Sequence, residues 1–171
     1  MKTNNKFMIF IVDDNRMFLE SLEFNLRKNL KFTPEIRKYA TGEDCLKDMH
    51  LKPAIIILDY LLNSEKVSAM NGIEVLKKIK MINSRTFVIM LSGQDRIDVA
   101  VDTMKYNAFD YIVKNESAFL KTQITINIIL RELSLTKQLR NLKIGMVVFF
   151  ALIALVSGVL LILNNMLEGG L

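Results

Sequence analysis

The chain has 171 residues, enough for one domain of ordinary size plus a short additional segment, and its 51% apolar fraction exceeds that of most soluble domains. Its net charge of +5 is spread along the chain rather than clustered, so we expect no nucleic-acid partner. A single cysteine, Cys45, excludes an internal disulfide and is typical of a reducing compartment.

The first predicted element is an unbroken apolar run, Phe7 to Val12, which ends at Asp13 and Asp14. A short run without alternation is typical of a strand buried on both faces. The run is too short for a signal peptide, so we expect this domain to stay in the cytoplasm. Apolar residues at helical spacing follow as far as Leu30.

The same alternation of strand and helix continues along the chain. Thr33 to Tyr39 reads as an edge strand, and a short helix begins at Thr41. A second unbroken apolar run, Ile55 to Leu58, then ends in Asp59.

After a polar loop over residues 63–71, the second half repeats the pattern twice more. A helix begins at Gly72, the strand Thr86 to Leu91 ends at Ser92, and a further helix follows the potential cap Asp95. The last strand, Phe109 to Val113, ends at Lys114. Five β-α units predict an α/β fold, a doubly wound parallel sheet with helices on both faces.

Polar side chains at four strand ends predict a site, because the carboxyl ends of parallel strands share one edge of the sheet. Taken alone, each residue has an ordinary explanation as a helix cap or a solvated lysine. Together, three crowded carboxylates favour a divalent cation, and oxygen ligands with retained waters are typical of Mg²⁺. Lys114 and Ser92 would then hold a phosphoryl group that Asp59 attacks.

The motifs IFIVDDN, IIILDY, MLSG and FDYIVK resemble the receiver domain of two-component response regulators, over about Lys6 to Leu130. The resemblance implies a flavodoxin-like sheet of order 2-1-3-4-5. It also implies a signalling phosphoacceptor rather than a classical enzyme, although such a domain assists its own phosphorylation and dephosphorylation.

The resemblance implies a phosphoacceptor and a metal site. Asp59 would be the phosphoacceptor, and Mg²⁺ would be held by Asp13, Asp14, Asp59 and the backbone carbonyl of Tyr60, with Asp13 the closer match of the acidic pair.

It also implies a switch. Ser92 would be the switch hydroxyl, Lys114 the phosphate-pairing lysine and Tyr111 the aromatic residue that follows phosphorylation, while Gly93 leaves room for the phosphate. Two features depart from the family pattern: the longer loop from Asn63 to Met70, and Asn115 where a proline commonly stands.

Helical sequence continues beyond the receiver, whose domain we place at residues 1–130, into a connector at residues 131–143. Apolar residues at 128, 135, 139 and 142 fit one coiled-coil stripe, but Glu132 interrupts it. Two interpretations stay open here. The helix either forms a homodimer or is the receiver's last packing helix followed by a solvated connector.

A membrane span is predicted at residues 144–163, which carry no charge and would extend roughly 30 Å, the thickness of the bilayer's hydrocarbon core. Basic residues precede it and Glu168 is the only charge after it, so the receiver is expected on the cytoplasmic side of the inner membrane, with residues 164–171 outside. Ala154 and Gly158 form a weak helix-pairing pattern.

The preferred hypothesis is a single-pass, membrane-anchored receiver phosphorylated on Asp59 by a sensor histidine kinase or phosphotransfer protein. The alternative is a constitutive membrane scaffold or phosphate sink with no switched output. An Asp-nucleophile phosphatase is disfavoured, because Leu61 stands where such enzymes carry a second aspartate.

Overall fold

The computed structural model describes residues 7–62, 70–93 and 97–168. The strands are β1 (Met8–Val12), β2 (Glu35–Tyr39), β3 (Ile55–Asp59), β4 (Phe87–Ser92) and β5 (Asp110–Val113). The helices are α1 (Arg16–Asn29), α2 (Gly42–Lys47), α3 (Gly72–Ile82), α4 (Ile97–Lys105) and α5 (Ala118–Glu168), with a 3₁₀ turn at Asp48–Leu51. Residues 63–69 of the predicted loop and the predicted cap Asp95 lie outside the described residues.

The five strands form one parallel sheet of order β2-β1-β3-β4-β5, which confirms the predicted fold and strand order. In the register, Val12 pairs with Leu58 and Asp59 pairs with Leu91. The carboxyl ends of β1, β3 and β4 therefore lie side by side at one edge of the sheet.

The central strands are buried on both faces, which explains their unbroken apolar sequences. Phe10, Ile56 and Val88 belong to one core cluster that includes side chains of α2 and α3. Their neighbours in the strands, such as Ile9 and Ile57, point to the opposite face and are also fully buried. Each buried side chain of this size contributes roughly 1.5–3 kcal/mol, so this double burial fixes the register.

Asparagine caps start two helices next to the strand ends. The Asn15 side chain accepts a hydrogen bond from the Phe18 N–H at 3.1 Å and begins α1. Asn71 and Glu74 form a reciprocal capping box that begins α3 at Gly72. These caps place the first turns of α1 and α3 beside the carboxyl ends of β1 and β3.

The chain divides into two compact units, Met1–Ile128 and Ile129–Leu171. The second unit consists of the distal part of α5. Among the described residues one helix is long and apolar enough to cross a membrane, and none of its most apolar stretch is buried. The division of the chain at residues 130, 143 and 163 stays a prediction.

Candidate functional site

Lys114 lies between two buried carboxylates. Its Nζ is 2.6 Å from Oδ2 of Asp13 and 2.8 Å from Oδ2 of Asp59. The two aspartate side chains are 1% and 5% exposed, and the lysine side chain is 18% exposed. Because the three residues stand at the ends of β1, β3 and β5, this pairing joins three strands at one point.

The surroundings of the lysine hold it in this position. Its backbone N–H donates to the Ser92 carbonyl at 2.7 Å, and its ammonium lies 4.6 Å from the centre of the Phe18 ring. The Asn15 N–H donates to Oδ1 of Asp13 at 2.9 Å, which orients that carboxylate. From the sequence, helical spacing predicts only a packing role for Phe18. Its contact with Lys114 could not be predicted, because the two residues are far apart in sequence.

Asp59 is the least satisfied group of this cluster. Burial raises the pKa of its carboxyl from 3.8 to about 6, because the Lys114 charge offsets only part of the desolvation and the nearby Asp13 opposes ionisation. Its buried Oδ1 has no hydrogen-bond partner of normal geometry among the described residues. One carboxylate oxygen is thus paired with Lys114. The other is buried, and the nearby Leu61 backbone N–H partly stabilises the ionised form.

The acidic residues fit a divalent cation. One carboxylate oxygen from each of Asp13, Asp14 and Asp59 lies within 4.8 Å of the others, and the first and last of these residues are buried. Hard cations such as Mg²⁺ prefer such oxygen donors. A cation held by these three carboxylates would offset their mutual repulsion, so the residues present fit Mg²⁺.

The Tyr60 carbonyl, predicted as a further metal ligand, accepts a hydrogen bond from the Gly72 N–H at 2.9 Å. A cation would share or displace that bond. Coordination by Tyr60 stays a prediction.

Gly72 contributes to the site in a way that the sequence analysis missed. A Cβ atom at this position would overlap the Asp59 carbonyl oxygen and lie 2.7 Å from Cα of Tyr60. Only glycine therefore lets the first turn of α3 touch the end of β3. The sequence signal was the Asn-Gly pair itself, which also fits an ordinary helix start.

The predicted switch residues lie near this edge. Ser92 is fully buried at the end of β4 and pairs in register with Val113. Tyr111 is half-buried in β5, opposite Met90. A methyl group at Gly93 would meet no described atom within 4 Å, so the backbone there borders open space.

A sequence model described as the response regulator receiver domain matches residues 9–125. The chain belongs to the response regulator receiver family. The predicted resemblance is thereby confirmed, and receivers of this family bind Mg²⁺ at an acidic pocket and act as signalling phosphoacceptors.

The receiver is similar to curated and solved proteins over this same region. It is 32% identical to an NtrX-like response regulator of Rickettsia felis over 62% of its own length and 21% of that protein. It is 28% identical to the transcriptional regulatory protein YesN of Bacillus subtilis over 63% and 28%. The chain thus spans about a quarter of the length of these relatives.

Two solved structures show the same fold. One is the BeF3-activated DrrB receiver domain, with a TM-score of 0.63 and 22% identity over 74% of this chain and 98% of that one. The other is the receiver domain of a LuxO repressor protein from Vibrio parahaemolyticus, with a TM-score of 0.67 and 22% identity over 78% and 97%.

The raised pKa of Asp59 predicts a pH-dependent stability in the metal-free receiver. Since the folded state holds this proton more tightly than the unfolded state, folding stability should fall as pH rises from about 4 to 6. The Asp59→Asn variant lacks this decline. The difference in unfolding free energy between the variant and the wild type should therefore grow by about 2–2.5 kcal/mol between pH 4 and pH 7.

Urea unfolding in EDTA and mild detergent measures this difference. Tyrosine fluorescence is a suitable signal, because all four tyrosines lie in the first unit. A difference that stays constant across this pH range would contradict the raised pKa.

Proposed function

We propose that this chain is a membrane-anchored receiver that takes a phosphoryl group on Asp59 from a sensor histidine kinase or a phosphotransfer protein. The observation that carries the proposal is the state of the Asp59 carboxylate. One oxygen is paired with Lys114 at 2.8 Å, and the other is buried without a partner of normal geometry among the described residues. A nucleophile needs one oriented oxygen that is free to react.

Oδ1 of Asp59, the oxygen that is not paired with Lys114, would attack phosphorus of a phosphohistidine in line with the departing nitrogen. The new P–O bond forms as the P–N bond breaks, and the departing imidazole takes up a proton. Lys114 remains beside Oδ2, where its charge stabilises the phosphoryl oxygens. Mg²⁺, when held by Asp13, Asp14 and Asp59, supplies the additional positive charge that this transfer requires.

The output is a change at the β4–β5 edge. We assign to Ser92 the hydroxyl that moves toward the new phosphoryl group, since it stands at the end of β4 and its carbonyl is bonded to the Lys114 N–H. Gly93 follows Ser92 directly, and a methyl group there would meet no described atom within 4 Å. Tyr111, half-buried two residues before the end of β5, is the aromatic ring that would repack.

Incubation of the full-length protein with a small phosphodonor tests the phosphoacceptor. We expect a base-labile acyl phosphate in the presence of MgCl₂ and more than tenfold less in EDTA. The Asp59→Asn variant should take up none, whereas Asp102→Asn, which alters an exposed carboxylate of α4, should resemble the wild type. Label on Asp59→Asn would place the phosphoryl group elsewhere, and an unlabelled wild type would favour the constitutive scaffold.

The exposed apolar part of α5 supports the anchor. Side chains such as Val147, Phe150 and Leu155 are more than 60% exposed, a costly arrangement in water. The basic residues Lys137 and Arg140 precede this stretch, which favours the cytoplasmic side for the receiver. Because the net charge of +5 is spread along the chain rather than clustered on one segment, the proposal includes no nucleic-acid partner.

Membrane fractionation with a high-pH wash tests the anchor. The wild type should stay in the membrane pellet. The double variant Leu152→Arg, Leu155→Arg should be released, because each arginine at mid-span costs about 2.5–3.5 kcal/mol. Leu139→Arg with Leu142→Arg carries the same charge outside the span and should remain bound, and release of the wild type by the wash would refute the anchor.

A further inference from the structure

We infer that a second copy of this chain pairs with the first, parallel and in register, along one face of the distal part of α5. We call this surface the heptad face, and its members are Leu135, Leu139, Leu142, Met146, Phe149, Ile153, Val156 and Leu160. The inference rests on the proposed anchor, because two copies inserted in one membrane with the same topology can pair only in parallel. Beyond the anchor, it names a second copy of the chain as the partner and gives the contacting residues and their register.

The spacing and exposure of these residues carry the inference. Successive members are alternately four and three residues apart, the repeat of a left-handed coiled coil. All of them are between 46% and 63% exposed in the single chain. The described residues on the other sides of this part of the helix are exposed as well, so no described part of the chain covers the face. Counted from Glu132, the frame covers about four heptads. Leu135, Leu139 and Leu142 set this frame, because they stand among polar residues, and the apolar residues after 144 continue it.

A second face of the same helix offers a competing seam of small residues, Ala151, Ala154 and Gly158. Gly158 lies eighteen residues after Arg140, which is five full turns of an α-helix, so the two residues share one side. Lys137 and Lys143 flank Arg140 on this side. Pairing through the small residues would bring these like charges of two copies together. Pairing through the heptad face instead leaves Lys137 and Arg140 on the outer side of each helix, and only Lys143, next to Leu142, flanks the seam.

Glu132 sets the register of the pair. Extending the repeat backward places it at a core position of the seam, where two unpaired glutamates would repel. In a parallel, in-register seam, however, the hole that receives Glu132 includes Arg131 of the second copy, which precedes the equivalent position. Glu132 of each copy then lies beside Arg131 of the other copy. A shift of one helix by one heptad would separate these two residues.

Cysteine cross-linking in native membranes tests the seam. Single cysteines are placed along residues 135–158 of the full chain. The background is Cys45→Ala, which removes the one native cysteine, so that every disulfide dimer forms through the added residue. Oxidation should give disulfide dimers at Leu135→Cys, Leu142→Cys, Phe149→Cys and Val156→Cys at least about threefold more often than at neighbours off the face. A maximum at Ala151→Cys and Ala154→Cys, or equal cross-linking everywhere, would overturn the inference.

Charge reversal tests the register in the Leu135→Cys reporter. Glu132→Arg or Arg131→Glu alone should lower its cross-linking by about threefold, and the two together should restore it, as expected of a pair worth up to about 1 kcal/mol. Unchanged single variants, or additive losses in the double variant, would overturn the role of this pair.

Flotation of the same vesicles separates the two hypotheses. A chain that fails to float refutes the anchor. A chain that floats without a heptad pattern of cross-links refutes the seam alone.

Discussion

Lys114→Met is expected to destabilise the metal-free receiver by about 3 kcal/mol at neutral pH. The substitution keeps the length of the side chain but leaves Asp13 and Asp59 buried without their counter-charge, and losing one partner of such a pair typically costs 3–5 kcal/mol. Urea unfolding of the full chain in detergent, followed by tyrosine fluorescence, measures the loss.

Two conditions should restore the stability of this variant. Acid should restore stability because protonation of Asp59 removes a buried charge. The difference in unfolding free energy between Lys114→Met and the wild type should therefore shrink below pH 6. Millimolar MgCl₂ should restore stability because a bound cation replaces the lysine and stabilises the folded state by mass action.

The matched control is Lys105→Met, which removes a lysine paired with Asp102 in a largely exposed bridge and should cost less than about 0.5 kcal/mol. Equal losses for the two lysine variants would mean that the central ion pair does not hold the three strand ends together.

Gly72→Ala is expected to destabilise the receiver by about 2–3 kcal/mol, against the direction of helix propensity. Alanine normally favours a helix over glycine by roughly 1 kcal/mol. Here the added Cβ would overlap the backbone of Asp59 and Tyr60, and a strand buried on both faces has no room to withdraw. Phosphorylation of Asp59 should also slow, because α3 is displaced from the end of β3.

Gly93→Ala provides the control for this variant. Its methyl group enters open space, so the unfolding free energy should change by less than about 0.5 kcal/mol. A Gly72→Ala variant that is as stable as Gly93→Ala would show that α3 and β3 do not meet as closely as described.

The fold was readable from the sequence because its strongest signals are local. Each central strand is an unbroken apolar run that ends in a polar residue, and the observed β3, Ile55–Asp59, matches the predicted run together with its final carboxylate. Boundaries shifted by a residue or two where the backbone conformation, rather than the composition, decides; Leu30, for example, is buried but has an extended backbone. β2 begins at Glu35 instead of Thr33, and α1 ends at Asn29 instead of Leu30.

The site was predictable only as a set of residue types at strand ends. That Lys114 bridges Asp13 and Asp59 follows from strand order and side-chain length together, and no local pattern contains it. The contact of Phe18 with the lysine and the close approach at Gly72 depend on distances between elements that are remote in sequence. The engagement of the Tyr60 carbonyl by α3 is likewise a tertiary effect.

The double burial of the central strands has a consequence for the unfolded chain. The segments 8–12, 55–58 and 87–91 are short, uncharged and rich in β-branched residues, the composition of sequences that stack into fibrils. These segments are buried in the native sheet, so unfolding exposes three aggregation-prone stretches at once. With the proposed membrane anchor, such chains would also meet faster on the bilayer than in solution. Aggregation and proteolysis, rather than loss of phosphate transfer, would then be the first outcome of a destabilised receiver.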